Sequence, residues 1–159
     1  MSDSRNSGGE SSADETYMRM ALAEGAAAER AGEVPVGCVI VLNERVLAHA
    51  ANRTITDCDP TAHAEMVALR AAAKAAGNYR LAGATVYATI EPCAMCAGAM
   101  LQARVERLVY GAEDPKGGAV RSCFAVFEHP RVNHRVEVTS GVLAEESAAL
   151  LQKFFAARR

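Results

Sequence analysis

Two short motifs carry the residues able to do chemistry: His63-Ala64-Glu65 and, thirty positions after the histidine, Pro92-Cys93-Ala94-Met95-Cys96. Cys93 and Cys96 are three apart where a helix is expected to start, so their sulfurs project from one side of its first turn. The positive end of the helix dipole favours the thiolate there, the form that binds metal. His63, at the expected start of another helix, can add a neutral ring nitrogen. Two sulfurs and one nitrogen suit zinc. Three protein ligands leave the fourth position to water, the arrangement of a catalytic zinc. Such a zinc brings its water's pKa towards neutrality. Glu65 can take that water's proton, pass it to a ring nitrogen and later protonate a departing amine. This is general acid–base work, worth roughly 10²–10⁴-fold. Together the groups suit hydrolytic deamination of an amidine-like carbon, as in cytosine or adenine.

Each half alone has a plainer reading, since H-x-E recurs by chance and C-x-x-C also serves redox or structural zinc sites. A structural site can be built by adding His129 and His134 to the cysteine pair. Its gap from Cys96 exceeds the roughly 12–15 residues of a zinc finger, and it leaves His63 and Glu65 idle. A scaffold that binds RNA or a partner without turnover has no need of Glu65. The motifs leave the base open among cytosine, guanine and adenine.

The elements that must position these residues follow from periodicity. Ser12 and Glu15 have capping-box spacing, with Asp14 as another possible cap. A helix follows with Met18, Ala21, Leu22, Gly25 and Ala28 on one face, ending near Gly32. Val36 to Leu42 reads as a strand covered on both faces, and Arg45 to Ala50 returns after an Asn43-Glu44 turn. A helix is expected from about Thr61 to Ala76, stopped by Gly77 and Asn78. Ala84 to Ile90 is a strand, Pro92 to about Ala103 a helix, and Val105 to Tyr110 a strand. Residues 112–133 read as a loop with a short helix. Arg135 to Val138 is a fifth strand and Leu143 to Ala157 a last helix. The alternation predicts an α/β sheet covered on both sides, with both motifs at strand ends, where such sheets place their sites.

Composition sets the class. Of the 159 residues, 50% are hydrophobic and 23% charged, as in one soluble globular domain. Residues 14–159 are expected to form it, with 1–13, polar and rich in Ser and Gly, as a disordered tail. No apolar run approaches bilayer length and no secretory stretch opens the chain, so no membrane association and a cytoplasmic location are expected. A net charge of −2 argues against wide phosphate coverage and leaves room only for a modest RNA footprint on a locally basic patch. Arg131, His134, Arg135, Arg158 and Arg159 could supply a local positive patch. Cys38, Cys58 and Cys123 read as small buried hydrophobes or idle thiols.

H-A-E with P-C-x-x-C resembles the signature of the cytidine-deaminase superfamily. From about Glu15 onward the chain further resembles the bacterial tRNA-specific adenosine deaminases. The matching segments include Glu33-Val34-Pro35-Val36-Gly37, Asn52-Arg53, Asp59-Pro60-Thr61-Ala62-His63-Ala64-Glu65 and Asn78-Tyr79-Arg80-Leu81. They continue through Glu91-Pro92-Cys93 to Met100, Asp114-Pro115-Lys116-Gly117-Gly118, Asn133 to Glu137 and Phe154-Phe155. The resemblance implies a three-layer α/β/α cytidine-deaminase-like fold around a mixed five-stranded sheet. It implies one Zn2+ per subunit on His63, Cys93 and Cys96, with Glu65 as the proton shuttle. Asn52 would contact a flipped nucleotide, Val36 would pack near its base, and Asp114 would meet its backbone or sugar. Lys116, Asn133, Phe155 and Arg159 would touch neighbouring nucleotides. It further implies a homodimer acting on a tRNA anticodon stem-loop, with wobble adenosine converted to inosine. A related enzyme of free guanine, cytosine or cytidine stands as the alternative.

Overall fold

The computed structural model describes residues 7–158. In chain order the elements are α1 (Ser7–Arg30), β1 (Gly37–Leu42), β2 (Arg45–Ala51), α2 (Ala64–Ala76), β3 (Thr85–Ile90), α3 (Ala94–Ala103) and β4 (Arg107–Ala112). A single 3-10 turn (Val126–Glu128), β5 (Glu137–Thr139) and α4 (Ala144–Ala156) follow. The strands form one sheet in the order β2-β1-β3-β4-β5. β1 runs antiparallel to β2 and β3, whereas β3, β4 and β5 are parallel. Parallel neighbours need a crossover, which α3 supplies between β3 and β4.

Strand alternation decides which helix covers which face. Val39 and Val41 of β1 turn to one side, joining Tyr87, Val109 and the α1 residues Met18 and Ala21. Cys38 and Ile40 turn to the other, joining Ala64, Ala68 and Ala72 of α2 and Ala97 and Met100 of α3. β4 carries α4 on the α1 side, because a Cβ on Gly111 would meet the Ser147 hydroxyl. The result is the expected three-layer α/β/α arrangement on a mixed five-stranded sheet.

Register then fixes which ends meet. Gly37 stands opposite Ala51, Cys38 opposite Ala88, and Ile90 opposite Ala112. The start of β1 and the ends of β2, β3 and β4 therefore share one end of the sheet. Gly37 is required there: a Cβ would lie 1.9 Å from the Ala21 carbonyl oxygen, where α1 crosses.

Two expectations need correction. The first helix begins at Ser7 rather than at the Ser12–Asp14 capping signal. Ser12 is interior to it, and its carbonyl accepts from the Thr16 hydroxyl at 3.0 Å. Residues 7–13 of the expected tail thus fall in α1, and residues 1–6 lie outside the described residues. Asp14 does not cap. It is buried and ion-paired with Arg107 at 2.8 and 2.7 Å, and it accepts from the Tyr87 hydroxyl at 2.9 Å. That pairing holds α1 onto the sheet. Of the lone cysteines only Cys38 is buried, while Cys58 and Cys123 are exposed on loops. Among the described residues, no helix is long and apolar enough to cross a membrane.

Candidate metal centre and active site

α2 and α3 both start at the end of the sheet where four strand ends meet, and His63 and Cys93 occupy their N-cap positions. Such positions usually hold a short polar side chain that accepts from a first-turn N–H. Neither side chain caps its helix here. They turn towards each other instead. His63 Nδ1 lies 3.6 Å from Cys93 Sγ and 3.5 Å from Cys96 Sγ. All three donor atoms fall within 4.8 Å of one another, the one such group among the described residues. Zinc bonds of about 2.3 Å to sulfur and 2.0–2.1 Å to nitrogen, at a tetrahedral angle, separate sulfur and nitrogen by about 3.6 Å. The donor set fits the metal. The rival site dissolves: His129 Nδ1 accepts from the Arg131 N–H at 3.1 Å, and His134 Nε2 pairs with the Val105 carbonyl at 2.7 Å.

The electrostatics suit both tasks. Hydrogen bonds from the Cys96 thiol and from His63 bring the Cys93 thiol down to a pKa of about 3. Cys96 is pushed up as the donor of that bond and by burial. A Cys93 thiol lowered in this way favours the thiolate, the form that binds metal. Glu65, in the first turn of α2, is 3% exposed. Burial raises its carboxyl above the usual range, against the pull of its own backbone N–H, the Cys96 thiol and the His63 ring. A carboxyl raised in this way keeps its proton more readily than a free one, as suits a group that takes up and hands on protons. Cys38 lies close enough for the Glu65 charge, after burial, to push its thiol up.

Several residues expected to meet substrate gather at the same end. The Asn52 N–H donates to the Val36 carbonyl at 3.1 Å, joining the end of β2 to the segment before β1. Asn52 Nδ2 donates to the Val34 carbonyl at 3.4 Å, while its Oδ1 is buried without a partner. Asp114 follows β4 by two residues, and its Oδ1 accepts from the N–H groups of Lys116 and Gly117 at 3.1 and 3.2 Å. Lys116 is exposed on that turn.

Others lie elsewhere. Asn133 accepts from Arg104 Nη1 at 2.8 Å, and Arg104 ends α3 whereas Cys93 begins it. Helical rise puts about 15 Å between those two ends. Arg80, Arg104, Glu106, His134 and Arg135 line a cavity of about 400 Å³ there. The expected positive patch thus unites His134 and Arg135 but not Arg158. Arg158 instead lies 3.4 Å from the centre of the buried Phe154 ring. Phe155 is 50% exposed and meets Phe154 edge-on at 5.3 Å. Arg159 lies outside the described residues.

Two buried glutamates at this end, Glu33 and Glu91, belong to no chemical motif of the sequence and stand only within the segments that resemble the family. Glu33 accepts from the Ile55 N–H at 3.0 Å, and from the Thr56 N–H and hydroxyl at 2.8 and 2.7 Å. It thereby ties down the loop that leads to His63. Glu91 accepts from the N–H groups of Asp114, Val120, Arg121 and Ser122 and from the Ser122 hydroxyl. Burial opposes its ionisation, but those donors prevail and hold it at a pKa of about 2. The available signal was an acidic residue closing a buried β-branched strand, where a free carboxylate is expensive.

Comparison with known proteins agrees with this geometry. The sequence model of the MafB19-like deaminases matches residues 12–159. The tRNA-specific adenosine deaminase of Haemophilus influenzae is 52% identical over 147 residues, covering 92% of this chain and 85% of that one. A solved structure from work on A-to-I editing by tRNA:A34 deaminases at the wobble position of transfer RNA has a TM-score of 0.83 at 48% identity. It covers 86% of this chain and 99% of its own. A guanine deaminase from Bacillus subtilis has a TM-score of 0.62 at 33% identity, covering 91% and 92%. The chain belongs to the MafB19-like deaminase family and, within it, to the tRNA-specific adenosine deaminases.

Proposed function

We propose that this protein hydrolyses adenosine to inosine at the wobble position of a tRNA anticodon loop, releasing ammonia. The observation that carries the reading is the His63–Cys93–Cys96 donor triangle with the buried Glu65 carboxyl beside it, in a chain 52% identical to a tRNA-specific adenosine deaminase. His63 Nδ1 and the two sulfurs hold one zinc ion per subunit. Bound there, zinc supplies the Lewis acidity that makes water a usable nucleophile near neutral pH.

The chain's own residues do the rest. Glu65 accepts the proton released as water adds to the amidine carbon of adenine. It delivers that proton to the adjacent ring nitrogen, takes up the remaining proton of the hydroxyl now on the carbon, and passes it to the amine as the carbonyl forms, the carbon–nitrogen bond breaks and ammonia leaves. Val36 packs near the base, and the unpartnered Asn52 oxygen accepts a hydrogen bond from the flipped nucleotide. An unpaired buried oxygen costs about 1–3 kcal/mol, and substrate relieves that cost. Asp114 meets the backbone or sugar of the target, and Lys116, Asn133, Phe155 and Arg159 meet neighbouring nucleotides. An unpaired loop makes base flipping cheapest.

Asn133 and the basic cavity beside it stand at the far end of α3 from their own metal centre. This supports a homodimer in which one copy presents that end to the anticodon loop held by the other. The protein is assigned to the cytoplasm, where tRNA is modified, and its elements from α1 to α4 are taken as a single catalytic domain.

The test is sequencing of reverse-transcribed tRNA after incubation with the zinc-loaded protein. A-to-G changes at the first anticodon position are expected. A second reading, a free-base deaminase, is favoured by the likeness to a guanine deaminase. Ammonia from guanine, cytidine or free adenosine, with no inosine in an anticodon stem-loop, would overturn the tRNA assignment.

A further inference from the structure

Glu91 closes β3 two residues before Cys93, and its carboxylate gathers a segment that folds back over the start of α3. Oε1 accepts from the Asp114 N–H at 3.1 Å and from the Ser122 hydroxyl. Oε2 accepts from the N–H groups of Val120, Arg121 and Ser122 at 3.1, 2.9 and 2.9 Å. A carboxylate offers about four acceptor positions, and five donors fill them. The Glu91 N–H donates to the Ala112 carbonyl at 2.8 Å, and the Ala119 N–H donates to that of Pro92, also at 2.8 Å. Gly118 presses on the group so closely that a Cβ would stand 2.3 Å from the carboxyl carbon. No acceptor position and no space remain for a substrate, so Glu91 does no proton transfer.

One carboxylate therefore ties both ends of the 114–122 segment to the turn that carries the metal ligand. We infer that Glu91 is a positioning residue that holds Asp114 and Lys116 at a fixed distance from the metal centre, and so governs substrate binding rather than turnover. The inference rests on the reading of Asp114 and Lys116 as substrate contacts.

The test uses zinc-loaded full-length Glu91→Gln, Ser122→Ala and Gly118→Ala proteins, read by amide hydrogen exchange and by kinetics on an anticodon stem-loop RNA. Glu91→Gln keeps one oxygen and loses the other. Exchange at Asp114 and at residues 120–122 accelerates at least tenfold, KM rises about tenfold or more, kcat stays within about threefold, and one zinc per chain is retained. Ser122→Ala, which removes one donor of five, moves KM the same way by a smaller factor. Gly118→Ala reproduces the KM rise with the carboxylate intact. If Glu91→Gln fails to fold, the other two variants decide. Unchanged exchange at those amides, an unchanged KM, or a fall in kcat with KM preserved overturns the inference. A wild-type protein inactive on the RNA refutes the function itself, and exchange alone then decides whether Glu91 holds the segment.

Discussion

Glu65 and Glu91 are 3% and 2% exposed and lie at the same end of the sheet, yet their surroundings drive them in opposite directions. Glu65 opens α2 beside the donor triangle, with few groups offering it a hydrogen bond, and burial keeps its proton on to higher pH. Glu91 closes β3 among four backbone N–H groups and a hydroxyl, and it stays ionised far below the usual range. Burial makes the charge of either costly. Donor count decides which of them bears it. A carboxyl left short of donors can exchange a proton, whereas a saturated one can only hold structure.

The largest effect expected is on the triangle that gives Glu65 its task. Cys93→Ala leaves two of three ligands, so zinc is lost and turnover falls to background. Metal analysis after gel filtration checks this, and near-stoichiometric zinc in the variant would refute the ligand set. Metal binding is coupled to folding, so the unfolding midpoint should drop as well.

Next comes Glu65 itself. Glu65→Ala should retain one zinc per chain while kcat falls by roughly 10²–10⁴-fold. Turnover near that of the wild type would remove the proton-shuttle role and with it half of the comparison.

Stability gives a sharper contrast between the same two positions. Glu65→Gln removes a carboxyl that burial penalises, so the urea midpoint of zinc-loaded protein should hold or rise, as commonly follows when a strained functional group is removed. Glu91→Gln strips acceptors from buried N–H groups and should cost about 1–3 kcal/mol. Equal losses at both positions would show that burial alone governs them.

The triangle was legible because its chemistry is local: His63, Glu65, Cys93 and Cys96 are set by spacing within two helix starts, and periodicity found both helices. The order of elements and the packed face of α1 followed from the same periods of 3.6 and 2. Glu91 was not legible as a clamp, because four of its five donors are backbone N–H groups and backbone donors leave no mark on residue identity. Asp14 misled for a related reason. Its position suggested a cap, but its partner Arg107 is 93 residues away, and long-range pairing overrode the local signal. Asn133 was grouped with Asp114 by resemblance, and only the path of α3 separates them.

Glu33 extends the comparison to a third buried carboxylate and gives the smallest effect. Burial alone would raise its pKa, but the Thr56 hydroxyl, the N–H groups of Thr56 and Ile55 and the charge of Arg53 outweigh it, so the group titrates below its ordinary value of 4.5. A carboxyl depressed in the folded state adds stability above its unfolded pKa and loses it as pH falls through the folded value. The contribution of Glu33 is therefore complete at pH 7 and fades below about pH 4.5. Glu33→Gln should lower the unfolding free energy at pH 7 by about 1 kcal/mol, and its difference from the wild type should shrink as pH falls below 4.5. Denaturant melts of both proteins at pH 7, 5 and 3.5 provide the check. A difference that stayed constant or grew towards acid would mean that Glu33 is not held ionised by the loop it anchors. Saturation by donors would then be special to Glu91.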